Sequence, residues 1–124
     1  MHQILARGEG FGHRQHVELT RRYLREHDPD AARGLVADAI RKMAAAHGAS
    51  DKFHATITGA WVRCVAVHGQ RWPADSFDEF IALNTGLLDA RLLEQHFSRG
   101  LLFSDEARAT IVEPDLRPLP VLAA

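Results

Sequence analysis

Cysteine is almost absent from this chain of 124 residues. Cys64 is the only one, so no disulfide can close within the chain, and a cytoplasmic location is expected. Long apolar runs are missing too. None approaches the roughly 20 residues needed to span a bilayer, and the first ten residues lack the apolar core of a signal peptide. No excess of one charge sign exists. The formal net charge is -1, which offers no basic field for nucleic acid. β-Branched residues are few beside alanine and leucine, which argues against a sheet-based fold. No glycine-rich phosphate loop, Cys-x-x-Cys pair or His-Glu-x-x-His helix occurs. No nucleotide cofactor is therefore indicated.

What remains is the composition of one globular domain, 46% hydrophobic and 25% charged. An all-α fold is expected: a compact bundle of three longer helices and two or three shorter ones. Residues 1–10, punctuated by glycine, read as a lead-in, with room for a short extended segment at His2 to Ala6. Residues 114–124 read as an extended, proline-rich tail. The whole of 1–124 then forms a single domain.

The helices follow from periodicity and stop signals. The first is expected over about 13–27, where Asp28-Pro29-Asp30 ends it. The second runs over about 30–47, with Ala32, Val36, Ala39, Ile40 and Met43 on its inner face and Gly48 just past its end. The third covers about 51–68, with Ser50 or Asp51 as its cap, and organises the bundle. Its His54, Thr58, Trp61, Val65 and His68 fall within an arc of roughly 80° at ~100° per residue. A shorter helix begins with the capping-box spacing Ser76-Phe-Asp-Glu79. Another is expected over about 89–97, and a last one from Ser104 to before Pro114. Short connections make successive helices antiparallel neighbours, so the first and third run the same way.

Eight histidines stand out in so small a chain. His27, His47 and His68 fall at expected helix C-termini, where exposed carbonyls and the macrodipole favour an N–H donor. His96 is similar. His13, His16 and His54 fall in first turns, a poor place for a cation, so each is expected to be neutral. The i, i+3 spacing puts His13 and His16 on one face, and the topology brings His54 to the same end. Converging, they would make a three-nitrogen site with an open position for zinc, copper or iron. Glu9 and Glu18 could offset the charge of the ion. Phe11, Tyr23 and Trp61 would wall the pocket, and Thr58 could orient an imidazole from behind.

Two plainer readings stand beside this one. The same histidines can satisfy carbonyls and hydroxyls as a structural network, or work as acid and base without metal. Thr56 and Thr58 are expected to bond back to a carbonyl one turn earlier. Tyr23 and Trp61 serve equally as core residues, and Cys64 as a small buried one. If an open site is built at a cost in stability, alanine at His16 or His54 should stabilise the metal-free protein.

Phe11-Gly-His13-Arg-Gln-His16, then Lys52-Phe-His54-Ala-Thr56-Ile-Thr58, then Pro114-Asp-Leu-Arg-Pro-Leu119 run in order through nearly the whole chain. Together they resemble a family of small bacterial proteins. Its pattern is Phe-x-His-x-x-His, Lys-Tyr-His-x-Thr-x-Thr and Pro-Asp-Leu-x-Pro-Leu. Phe53 replaces the expected tyrosine and removes a phenol beside His54. The resemblance implies no established activity.

Two functions are therefore expected in parallel. One is a small helical metalloprotein on His13, His16 and His54, acting on a small-molecule ligand. The other is a non-enzymatic helical interaction module with structural histidines. A homodimer is compatible with either, and neither involves nucleic acid or a membrane.

Overall fold

The computed structural model describes residues 12–123. The expected lead-in, including Glu9, and Phe11 lie outside them. Among the described residues the fold is all-α, with no strand. Its helices are α1 His13–Glu26, α2 Pro29–Ala46, α3 Ala55–Arg71, α4 Phe77–Leu83, α5 Arg99–Leu102 and α6 Asp105–Ala109.

Local chemistry sets most boundaries. Gly12 caps α1 while Gln15 reaches back to accept its N–H at 3.0 Å. The turn to α2 is built by Asp28, whose carboxylate accepts the Ala31 N–H at 2.8 Å, with Pro29 in the first helical position. Gly48 lies just beyond α2 at φ 66°, a left-handed conformation that favours glycine. Ser76 caps α4 by accepting the Glu79 N–H. The Glu79 carboxylate returns to the Asp75 N–H, one residue short of a standard capping box.

The third helix begins later than expected and ends later. Ser50–Lys52 form a single 3-10 turn, and His54 rather than Ser50 or Asp51 caps α3. The helix continues to Arg71, so His68 lies inside its last turn. At the other end of the chain, no α-helix forms over 89–97. Thr85–Leu88 and Leu92–Gln95 are separate 3-10 turns. Within the segment the bonds close tighter turns instead: the Asp89, Arg91 and Leu93 carbonyls accept the N–H groups of Leu92, Glu94 and His96, three residues on, and the Asp89 carboxylate takes the Arg91 N–H at 2.9 Å. The final helix ends at Ala109, short of Pro114.

The core gathers around α3, which buries Ala60, Trp61, Val62, Cys64, Val65 and Val67. Helix α1 adds Val17 and Leu19, and α4 adds Phe80 and Ile81. Leu87, Leu93, Phe97 and Leu102 close the other side. Burying such side chains stabilises a fold by roughly 1.5–3 kcal/mol each. Helices α1 and α3 run the same way but are staggered. The His13 ring lies 4.4 Å from the Trp61 ring, and the Arg21 guanidinium reaches the Ala74 carbonyl. The start of α1 is thus level with the middle of α3.

The tail crosses the bundle without regular structure, fixed at three stations. Thr56 donates to the Thr110 carbonyl at 2.8 Å and accepts the Val112 N–H at 3.1 Å. The His96 carbonyl accepts the Leu116 and Arg117 N–H groups, and Asp115 accepts both the N–H and the hydroxyl of Ser98. Gln70 then pairs with both the N–H and the carbonyl of Ala123.

Candidate functional site

His54 is 7% exposed and both its ring nitrogens are occupied. Nδ1 accepts the Ile57 N–H at 3.1 Å, which makes this imidazole the N-cap of α3. The proton must then sit on Nε2, which donates to the Leu102 carbonyl at 2.5 Å. Burial lowers its pKa, the Leu102 carbonyl opposes that shift, and Arg108 adds to it. A second proton would remove the acceptor on which the cap depends.

His13 bonds through Nε2 to the Leu87 carbonyl at 2.7 Å and lies against Trp61, itself 2% exposed. His16 follows one turn later, its ring 6.4 Å from that of His13 and nearly perpendicular to it. Desolvation, with His13 a smaller second cause, pushes His16 down to about 4. Its ring is neutral at physiological pH, the expected state, but burial rather than its place in the first turn is the main cause.

The structure brings His13 and His16 together but leaves His54 apart from them. His54 precedes Trp61 by seven residues, about 10 Å along a helix axis. Because His13 is level with Trp61, the stagger separates the cap of α3 from the start of α1. Parallel direction, which the loop lengths predict, does not fix this axial offset. Among the described residues no group of three or more His, Cys, Asp or Glu side chains is placed to hold a metal ion.

The other expected pocket residues scatter. Trp61 does join the His13 end. Glu18 is half-buried on α1, two positions beyond His16 and so on another side of the helix. Tyr23 lies near the far end of α1, its ring 6.2 Å from His27. Thr58 is buried one turn into α3, its N–H on the His54 carbonyl. Thr56 reaches across to the tail instead of back along its own helix; Thr20, on α1, makes that backward bond, to the His16 carbonyl. Burial pushes the Cys64 thiol up to about 11, the environment of an inert core cysteine.

Two further histidines join distant segments. His68 Nδ1 donates to the Asn84 side-chain oxygen at 2.8 Å, and Asn84 in turn donates to the Phe80 carbonyl. His96 Nδ1 points at the Arg117 and Pro118 carbonyls at 3.1 and 3.0 Å. Sequence position suggests caps for both. Their partners are non-local and carry no periodic signal.

A groove of about 830 Å³ runs between the start of α2, the face of α3 and the tail. Thr56, Gly59, Ala60, Val62 and Arg63 form its floor, with Arg33 on one wall and Ile111 to Leu119 on the other. It lies within the size range of ligand sites, roughly 300–1,000 Å³. No protein-family model, curated protein or solved structure matches this chain, and the chemistry of these sites rests on its own residues.

Proposed function

We propose that this protein is a non-enzymatic helical interaction module whose histidines act as structural latches. The observation that carries the proposal is His54. A metal ligand must present a lone pair, and the one lone pair of this neutral ring already accepts the N–H of Ile57. Three more histidines each donate from one ring nitrogen to a distant oxygen: His13 to Leu87, His68 to Asn84, His96 to the tail. In each case an imidazole links segments far apart in sequence.

A transition ion, zinc, copper or iron, is the competing proposal, supported by the adjacent rings of His13 and His16 and by the neutrality of His16. It would need further ligands to complete the four-coordinate shell typical of zinc. Among the described residues no helix is long and apolar enough to cross a membrane, and the unpaired cysteine fits a cytoplasmic setting, which we also propose.

Elemental analysis of protein purified without a histidine tag, paired with thermal melts in excess zinc or copper, tests the proposal. A latch protein carries substoichiometric metal and melts at an unchanged temperature. One tightly bound equivalent, lost on His16→Ala, would establish the metalloprotein instead.

A further inference from the structure

The groove beside the tail is lined by charges of both signs that do not pair with one another. Elsewhere on the surface some charges find partners. Arg14 holds Asp78, Arg41 holds Asp38, and Arg91 and Arg99 share Glu94. In the groove, Arg33, Arg63 and Arg117 have neither a carboxylate nor a carbonyl partner for their guanidinium groups among the described residues. Asp30 and Glu113 likewise hold no cation. The remaining two acids are committed, Asp28 to capping α2 and Asp115 to Ser98.

The geometry explains why these charges stay apart. Asp30 and Arg33 have the i, i+3 spacing of a helical ion pair. The Arg33 stem instead lies over α3, its Cδ 3.7 Å from where a Cβ on Gly59 would stand. Ile111 Cδ1 comes within 3.0 Å of the same point from the tail side. Arg63, one turn beyond Gly59, emerges on that same face. Between the charges the lining is apolar, with Ala60, Val62, Phe97 and Leu119.

We propose that this groove binds a short peptide with an apolar body and free, oppositely charged ends. The guanidinium groups of Arg33, Arg63 and Arg117 take its carboxylate, in the forked geometry suited to that group. Asp30 and Glu113 take its ammonium end. A ligand carrying one sign alone leaves the opposite set unmatched. The inference rests on the interaction-module reading and supplies its partner class.

Isothermal titration with trileucine, in EDTA, tests it in four forms: free at both ends, N-acetylated, C-amidated and blocked at both. The free peptide is expected to bind tightest, with each blocked end weakening it about tenfold or more. Arg63→Gln should weaken the free-acid forms and leave the amides unchanged. Asp30→Asn should weaken the free-amine forms and leave the acetylated ones unchanged. Both residues are exposed, and melts of the variants matching wild type show that the fold is intact. The proposal is overturned if no form binds at millimolar concentration, if the doubly blocked peptide binds as well as the free one, or if either variant acts equally on all forms. Mass spectrometry of the recovered peptide separates the two claims. Cleavage would refute the non-enzymatic reading and leave the groove standing, whereas absence of binding removes the groove alone.

Discussion

His54 joins the start of α3 to the carbonyl of Leu102, 48 residues further along the chain. The same ring caps the helix that carries the core, so one neutral imidazole fixes both a local and a long-range element. Its removal should therefore be costly. His54→Ala is expected to destabilise the protein by about 2–4 kcal/mol in urea melts, from a lost cap and a stranded buried carbonyl. His54→Asn, able to keep the cap but not to span to Leu102, should recover about half of that loss. The expectation that alanine here stabilises the metal-free protein is reversed, because the ring is bonded at both nitrogens. A neutral or stabilising His54→Ala would contradict the latch.

Stability should fall in mild acid. The unfolded chain protonates His16 near 6.5, whereas the folded protein resists until about 4. The folded-state value is depressed, so the unfolded state binds more protons between those values. The contribution is complete above 6.5, declines as pH falls from 6.5 to 4, and is lost below 4. Its size is about 3 kcal/mol, from roughly 1.4 kcal/mol per pH unit. His54 shifts in the same direction. Urea midpoints measured at intervals from pH 7.5 to 4 should show the decline, and His16→Gln should flatten it. An identical slope in that variant would assign the acid sensitivity elsewhere.

Thr56 is 1% exposed and bonds on both sides of the tail junction. Thr56→Val keeps the shape and removes both bonds, which should cost about 2 kcal/mol. Hydrogen exchange at the Val112 amide should accelerate more than exchange in α1. By contrast Asp78→Ala, which removes a 90% exposed carboxylate paired with Arg14, should change stability by no more than about 0.5 kcal/mol.

The Cys64 thiol is buried and its pKa raised. An aromatic disulfide reagent should leave the native protein unmodified at pH 8 and react with one thiol per chain in urea. Fast labelling of the native state would reveal an open core around α3.

The fold was legible because its main signals are local. The period of α1, the Asp28-Pro29 break, Gly48 and the Ser76 cap each depend on a few neighbouring residues. The 89–97 segment misled for the opposite reason. Its composition permits a helix, but its flanks are held by distant residues, the Leu87 carbonyl by His13 and the His96 carbonyl by the Leu116 and Arg117 N–H groups of the tail. The candidate site divides in the same way. Sequence spacing identified His13 and His16 as neighbours on one face and Trp61 as part of the same end. It also anticipated a neutral His16. The axial offset between α1 and α3 is set by side-chain packing, which no spacing rule encodes, and that offset removes His54 from the group. The capping role of His54 was hidden because serine and aspartate at positions 50 and 51 looked like better caps.

The most direct measurement is imidazole ¹⁵N NMR of the untagged protein at pH 7.5, before and after one equivalent of zinc. The latch predicts His54 as the Nε2–H tautomer with Nδ1 accepting, unchanged by zinc. A zinc-induced shift of His54 together with His13 and His16 would contradict it, and would place the three on one ion.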